Sequence, residues 1–237
     1  MMTKWIVTAL AVLSMALVPG TSSGGDTHHT CNGKAATIIG TDGADELMGT
    51  EGRDVIVALG GNDTIFGRGG RDVICGNRGQ DLIWPGLKND RVRGGRGRDR
   101  VEQSTQQEDV VDGGFGRDTI SYRHHEGGLV VILSSGEADE KCPPGDLCPA
   151  VWTPATIRGF ENVVGSSEDD TIQGNDLENR LAGKGGLDEL RGGPGDDRIF
   201  GGARNDRLRG QAGNDFLEGG RGRDSCRGGE RLSTCES

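Results

Sequence analysis

The sequence predicts an all-β fold, a right-handed parallel β-solenoid of the β-roll type, built as two arrays separated by a spacer. Three observations predict it. A nine-residue pattern recurs along most of the chain, 44 of the 237 residues are glycine, and only 32% are hydrophobic and 4% aromatic. Such a composition is too poor in apolar side chains for an ordinary globular core. A repeated short unit that buries one side chain at a time accounts for all three.

The nine-residue period begins at Gly40. Its first units are GTDGADELM, GTEGRDVIV, ALGGNDTIF, GRGGRDVIC, GNRGQDLIW, PGLKNDRVR and GGRGRDRVE. Aspartate takes the sixth place of each and an aliphatic residue the eighth. After Gln103 the frame resumes with STQQEDVVD and GGFGRDTIS, and from Thr156 it returns through Arg227. Repetition of this length indicates stacked structural units.

Each unit predicts a turn followed by a strand. The first six residues are rich in glycine, which adopts the positive φ angles that other residues resist. The last three form a short strand whose middle residue points inward. Two units then complete one coil, and the coils stack at the strand spacing of ~4.8 Å. One aliphatic side chain per strand makes a thin core, so burial alone does not hold the coil closed.

Stacking brings the sixth-place aspartates of alternate units together. Asp45, Asp63, Asp81 and Asp99 form one predicted column, and Asp54, Asp72 and Asp90 the other. Carboxylates ~5 Å apart repel one another unless a cation lies between them. Carboxylate and backbone carbonyl oxygens in an adaptable cage suit Ca²⁺, whereas Mg²⁺ requires stricter octahedral geometry and zinc prefers nitrogen and sulfur. The predicted Ca²⁺ ligands are Asp45, Asp54, Asp63, Asp72, Asp81, Asp90, Asp99, Asp118, Asp170, Asp188, Asp197, Asp206, Asp215 and Asp224.

Three turns depart from this pattern. The turn before Asp109 contains no glycine, so we expect weak or no binding there, the PGLKND turn before Asp90 is basic, and Asn179 replaces an aspartate. Gaps in the ion columns are expected at these places.

Units such as GGRGRDRVE and GGPGDDRIF match the nonapeptide G-G-x-G-x-D-x-U-x. The chain therefore resembles the repeats-in-toxin, or haemolysin-type, calcium-binding family. The resemblance implies a β-roll in which turn aspartates and turn carbonyls bind calcium between coils. The segment SYRHHEGGLVVIL also resembles the spacer between two such arrays. The chain departs from the family in having an N-terminal export signal and cysteines, and in lacking an accompanying pore-forming, protease or lipase domain.

The organisation follows from the period and the N-terminus. Residues 1–24 predict a cleaved signal peptide, with Lys4 followed by a short apolar run. We expect a leader and cap over 25–39, a first calcium-binding roll over 40–121, a spacer over 122–155, a second roll over 156–227 and a C-terminal cap over 228–237. The protein is thus predicted to be secreted.

Six cysteines suit an exported protein. Fifteen pairings are formally open. Proximity in sequence favours Cys142–Cys148 and Cys226–Cys235, which leaves Cys31–Cys75 by elimination.

Two groups of side chains resemble functional sites. Tyr122, Arg123, His124, His125 and Glu126 carry catalytic or zinc-binding chemistry, but no H-E-x-x-H motif accompanies them, and an exposed turn explains them better. Fifth-place arginines (Arg53, Arg71, Arg98, Arg117 and Arg223) either bind an acidic polysaccharide or merely offset the aspartates. The second interpretation is favoured by the net charge of −10.

Three function classes follow. A secreted calcium-binding protein with a structural or surface-associated role explains most residues. A calcium-stabilised enzyme acting on polysaccharide and a polysaccharide-binding adhesin are the alternatives. No G-x-S-x-G, P-loop or comparable catalytic motif occurs, so we predict that the protein is not an enzyme. The acidic balance argues against nucleic acid and membrane insertion as partners, and leaves calcium ions and extracellular polysaccharide.

Overall fold

The computed structural model describes residues 29–103, 108–140 and 155–235, and all regular structure in these ranges is β. The strands of the first part are β1 Thr30–Cys31, β2 Lys34–Ala35, β3 Ile38–Ile39, β4 Glu46–Met48, β5 Val55–Val57, β6 Thr64–Phe66, β7 Val73–Arg78, β8 Leu82–Trp84, β9 Arg91–Gly97, β10 Arg100–Glu102, β11 Val110–Gly116 and β12 Thr119–Ser121. Those that follow are β13 Leu129–Ile132, β14 Glu137–Glu140, β15 Ala155–Arg158, β16 Asn162–Val164, β17 Thr171–Gln173, β18 Arg180–Gly185, β19 Glu189–Pro194, β20 Arg198–Ala203, β21 Arg207–Ala212, β22 Phe216–Arg221, β23 Ser225–Arg227 and β24 Arg231–Ser233.

The strands form two facing sheets, apart from the small hairpin β1–β2. One sheet has the order β24-β22-β20-β18-β16-β12-β10-β8-β6-β4, and the other runs β23-β21-β19-β17-β13-β14-β15-β11-β9-β7-β5-β3. Within the arrays each strand pairs in parallel with the strand two places along the chain, so that Ile65 aligns with Ile83 and Ile74 with Val92. Two nine-residue units therefore make one coil. The predicted parallel β-solenoid is confirmed.

The core is a double file of eighth-place side chains between the sheets. Their burial is nearly complete, as the sequence predicts from the alternation of a short strand. The fully buried members include Ile56, Ile65, Ile74, Ile83, Val101, Ile120, Val163, Ile172, Leu181, Leu190, Ile199, Leu208 and Leu217. Because each strand contributes one such residue, the core is long and narrow.

The two arrays share both sheets. Strand β12 pairs directly with β16, so the ten-strand sheet continues past the segment where the period fails. That segment instead enters the twelve-strand sheet: β13 runs parallel to β17, while β14 is antiparallel to both β13 and β15. Val131 of β13 is fully buried and aligns with Ile172, as an eighth-place residue would. The spacer thus supplies a coil strand and a hairpin, and its exact limits stay a prediction.

Near the N-terminus a hairpin covers the outer face of the roll. Cys31 of β1 forms a disulfide with Cys75, as predicted, and both cysteines pack in an apolar cluster with Val55, Val57 and Val73. Cys75 does point away from the core, but the hairpin covers it, so it is buried rather than accessible. Strand β3 pairs with β5 at the end of the sheet.

The second described disulfide joins Cys226 to Cys235, again as predicted. The predicted Cys142–Cys148 link and the predicted signal peptide lie outside the described residues. No helix in the described ranges is long and apolar enough to cross a membrane.

Candidate metal centre

The sixth-place aspartates lie at the turns, next to the strand starts. Of the fourteen predicted ligands, all except Asp45 are buried, although an aspartate side chain is strongly hydrophilic. A buried carboxylate requires hydrogen-bond donors or a cation to offset the loss of hydration.

One oxygen of each carboxylate has a partner in the neighbouring coil. The Asp81 Oδ1 accepts the backbone N–H of Asp63, and the Asp72 Oδ1 accepts that of Asp54. Twelve such bonds of 2.7–3.0 Å run along the two columns. The predicted alternation of aspartates between two columns is therefore present.

The columns also continue where the repeat is degraded. The Glu161 Oε2 accepts the N–H of Asp118 at 2.8 Å, so the longer glutamate joins the two arrays. In the other column the N–H of Leu129 donates to the Asp170 Oδ1 at 2.9 Å. An oxygen acceptor from the following coil is retained at both places.

The turns are of two kinds, which differ in the hydrogen bonding of the second carboxylate oxygen. In what we call open turns, the second and fourth residues of the unit both have positive φ, as Asn77 (74°) and Gly79 (129°) do before Asp81. The Oδ2 atoms of the open-turn aspartates are buried and have no hydrogen-bond partner. The eleven open-turn aspartates are Asp63, Asp72, Asp81, Asp90, Asp99, Asp118, Asp188, Asp197, Asp206, Asp215 and Asp224.

In closed turns, the second residue of the unit satisfies the carboxylate. The Thr50 N–H and hydroxyl donate to the Asp54 Oδ2 at 2.7 and 2.9 Å, and the Thr50 Oγ1 also accepts the N–H of Gly52. Thr41 does the same for Asp45, at 2.6 and 2.9 Å. These second residues do not have positive φ, so their N–H groups point into the turn.

The second array begins with the same arrangement. The Ser166 N–H donates to the Asp170 Oδ2 and its hydroxyl to the Oδ1. The Asn175 N–H donates to the Asn179 Oδ1, and the Asn179 Nδ2 donates to the Asn175 Oδ1. A neutral asparagine thus replaces aspartate in a turn whose side chain is fully engaged by the protein itself.

The open turns also direct carbonyl oxygens toward the free carboxylate oxygen. A Cβ built on Gly76 would lie 2.3 Å from the Asp81 Oδ2 and 2.6 Å from the Gly94 carbonyl oxygen of the next coil. For Gly201 the same distances are 2.4 Å to the Asp206 Oδ2 and 2.5 Å to the Gly219 oxygen. Nine of the eleven open-turn units begin with glycine, where a side chain would fill the space on which the oxygens converge, and the other two begin with Ala58 and Pro85.

Burial strongly perturbs these carboxylates. It raises the pKa of Asp90 and Asp188 to about 8, and neighbouring carboxylates add to the rise, while the N–H from the adjacent coil opposes it. The pKa values of Asp99 and Asp197 rise to about 7 for the same reasons. Without a cation, two columns of such groups cannot all be ionised at neutral pH at low cost.

This donor set fits calcium. Ca²⁺ takes six to eight oxygens at 2.3–2.6 Å in flexible geometry, from carboxylates and backbone carbonyls alike. The open turns supply an unpartnered carboxylate oxygen and a carbonyl from the next coil. Within the described ranges no three His, Cys, Asp or Glu side chains group as a metal cluster. Structural zinc sites use such side-chain sets, whereas calcium also accepts backbone carbonyl oxygens.

Comparison with known protein families shows to which family the chain belongs. The RTX calcium-binding nonapeptide repeat matches residues 39–74, 48–83, 84–102, 105–121, 158–190, 174–203 and 200–230. The chain belongs to this family. The matches span both arrays and leave out most of the spacer. No curated protein matches the chain.

In this RTX chain, the side chains that resembled a catalytic or zinc site have structural roles. Tyr122 is buried, and its carbonyl accepts the N–H of His125, which is also buried. Arg123 forms an ion pair with Glu102 at 2.9 Å. Arg123, His124 and Glu126 are exposed, as predicted, whereas Tyr122 and His125 are buried and the Tyr122 hydroxyl has no hydrogen-bond partner among the described residues.

The difference between open and closed turns is the feature that sequence reasoning missed. Counting glycines placed Asp45 and Asp54 among the good sites, since both turns contain two. The signal lies at the second place instead: Thr41, Thr50 and Ser166 offer a hydroxyl there, whereas the second residue of an open turn has positive φ and is glycine or a residue without a hydroxyl. The Asp109 Oδ2 is also unpartnered, but residues 104–107 of its turn are outside the described ranges, so we assign that turn to neither kind.

Proposed function

We propose that the protein is an extracellular calcium-binding protein whose β-roll binds Ca²⁺ between neighbouring open turns of each column. The observation that carries the proposal is the stack of buried carboxylate oxygens without a partner, which in the nine units that begin with glycine lie beside a carbonyl oxygen of the next coil. Between two open turns, the carboxylates and first-place carbonyls would hold the ion. The ion would supply positive charge and cross-links between coils.

The proposal narrows the ligand set predicted from sequence. Asp45, Asp54 and Asp170 lie in closed turns, where donors of the same turn already occupy the carboxylate. A calcium ion there would have to displace two hydrogen bonds, one of them from the backbone. We therefore assign calcium to the open-turn aspartates alone.

Calcium binding is expected to be coupled to folding. Each strand buries one aliphatic side chain, worth roughly 1.5–3 kcal/mol, whereas each ordered residue costs about 1–2 kcal/mol of backbone entropy. The buried carboxylates oppose folding further. An ion that binds only the folded roll contributes its binding free energy to folding.

The location and role follow from the sequence pattern. The apolar N-terminal segment over 1–24 and the disulfides suit export into an oxidising, calcium-rich environment. There the protein would act as a structural or surface-associated component.

The test is circular dichroism with calorimetry on the protein lacking residues 1–24. We expect little β-structure in chelator, a cooperative gain in millimolar Ca²⁺, and a heat of binding over the same range. Asp197→Asn combined with Asp215→Asn should weaken this response, because two facing open-turn carboxylates lose their charge.

Asp45→Asn in a closed turn is the matched control and should respond to calcium as the unmodified protein does. A full β-spectrum in chelator after reduction of the disulfides, with no heat on adding Ca²⁺, would overturn the proposal.

A further inference from the structure

The ten-strand sheet carries a basic groove on its outer face, and none of its arginines is a proposed calcium ligand. Its five cationic residues are Arg98, Arg100, Arg117, Arg180 and Arg198, and the groove has a volume of about 430 Å³. Thr119, Asn162 and the buried open-turn Asp99 complete its polar lining. Arg98 and Arg117 are fifth-place residues, but the other three arginines are in the seventh place, which points away from the core.

Strand register aligns the groove along the roll. Arg100, Thr119, Asn162, Arg180 and Arg198 are direct partners on five successive strands. Neighbouring positions are then ~4.8 Å apart, and the file is ~19 Å long. A basic group lies at each end, with an amide and a hydroxyl between them.

The arginines are only partly neutralised by the protein. Arg100 pairs with the buried Glu102, and Arg117 with Glu178 at 3.4 Å, while Arg98 and Arg198 make no ion pair with a described residue. Arg180 lies over the Phe200 ring, 4.1 Å from its centroid. Arg180 and Arg198 are register partners, and like charges directly opposite each other are destabilising. An anionic ligand would relieve that repulsion.

The formal net charge of the whole chain differs from the charge of its exposed surface. The chain carries −10, but the eleven open-turn carboxylates are buried. Removal of residues 1–24 takes away Lys4 and makes the net charge −11, and neutralisation of all eleven carboxylates by calcium would bring it to 0, so the loaded protein would have no net negative charge to repel anions. This step rests on the proposed function.

We propose that the groove binds a linear acidic polysaccharide, with the arginines on its carboxylate or sulfate groups. Guanidinium groups bind such anions with two parallel hydrogen bonds. The Asn162 amide and the Thr119 hydroxyl, set between the two basic ends, suit the hydroxyl groups of sugars. An export signal and disulfides indicate an environment where acidic polymers are sugars and not nucleic acids. Calcium loading and polysaccharide binding are therefore linked through the loss of net negative charge.

The experiment measures binding of fluorescent heparin oligosaccharides in millimolar Ca²⁺, with hyaluronan as a carboxylate-only probe, neutral dextran as a blank, and single-stranded DNA as the competing class. We expect binding to at least one acidic polysaccharide. Arg180→Gln with Arg198→Gln should weaken it by at least about tenfold, since two charge-assisted contacts are lost. The matched variant Arg53→Gln with Arg71→Gln removes the same charge at exposed turns far from the groove and should change binding less than about twofold.

Calcium stoichiometry, measured by calorimetry on every variant, separates the two proposals. Equal weakening by both double variants, tighter binding of DNA than of either polysaccharide, or no polymer binding by a protein that takes up calcium normally would each overturn the groove proposal and leave the calcium sites standing. Failure of the unmodified protein to bind calcium would overturn the proposed function itself.

Discussion

Asp81→Asn is expected to have opposite effects on the calcium-loaded and the metal-free protein. Asp81 lies in an open turn with Asp63 and Asp99 before and after it in the column. An asparagine keeps the Oδ1 acceptor for the Asp63 N–H but removes the charge. In calcium, we expect the two ion positions beside Asp81 to lose about tenfold to a hundredfold in affinity, because a hydrogen bond or ligand contact to a charged group contributes about 1.5–3 kcal/mol.

In the metal-free protein we expect the opposite effect, namely that Asp81→Asn stabilises the folded state. Burial raises the pKa of Asp81 from 3.8 to about 6, so at pH 8 the folded state contains a carboxylate less stable than in the unfolded chain. Two pKa units correspond to ~3 kcal/mol, which we reduce to about 1–2 kcal/mol because solvent near the turn screens the charge. Asp81→Asn removes this penalty and should stabilise the metal-free roll by that amount.

Two titrations measure these effects, with folding followed by circular dichroism. A calcium titration at pH 8 gives the loss of affinity, and a trimethylamine N-oxide titration in chelator gives the stability of the metal-free roll, since this osmolyte favours burial. Asp45→Asn is the control: the Thr41 N–H donates to the Asp45 Oδ2 at 2.6 Å, and Asn175 with Asn179 shows the neutral version of the same turn. Equal loss of calcium affinity in both variants, or none in either, would refute the distinction between open and closed turns.

Three further outcomes are expected. The pKa values of Asp90 and Asp188 are raised to about 8, so protonation of these carboxylates favours the folded state. The metal-free roll should therefore gain β-structure as the pH falls from 8.5 to 5 and lose it when the pH is raised again. A circular dichroism signal that stays constant over this range in calcium-free buffer would contradict this. Thr50→Ala removes the hydroxyl from a closed turn and should cost about 1–3 kcal/mol in urea unfolding, with calcium stoichiometry unchanged; a lost ion would argue against our assignment. Replacing Cys31 and Cys75 together by serine should cost about 2–4 kcal/mol in the calcium-loaded protein, and an unchanged unfolding midpoint would show that the hairpin is not held by the disulfide.

The repeat and its columns could be predicted because both are periodic. The alternation that buries Ile65 and exposes its neighbours follows from strand geometry, and the nine-residue spacing alone determines that Asp63 and Asp81 stack. Local regularity and global fold agree in such a chain, so few alternatives compete.

The features that escaped prediction depend on contacts distant in sequence. Val55 and Val73 are apolar at outward positions because the N-terminal hairpin covers them, and nothing in their own units indicates that cover. Leu129 lies in a coil although its own segment has no repeat motif. Its N–H donates a hydrogen bond to Asp170, which is 41 residues away in the sequence. The kind of turn was at least visible in the sequence, since a hydroxyl at the second place offers the aspartate a local donor, but glycine content obscured it.

The position of the closed turns suggests how the roll begins to form. They lie at or near the start of both arrays, at the units starting with Gly40 and Gly49 and, one unit after Thr156, at those starting with Gly165 and Gly174, and the open turns follow them. A closed turn needs no ion, because its carboxylate or amide is satisfied within five residues of chain. In a solenoid whose coils contact only their neighbours, a coil that forms without calcium offers a template on which the next can order. We therefore expect calcium-dependent order to spread from the closed turns toward the C-terminal end of each array. Hydrogen exchange at limiting calcium should show Thr50 and Ser166 protected before Asp99 and Asp215, and the reverse order would contradict this account.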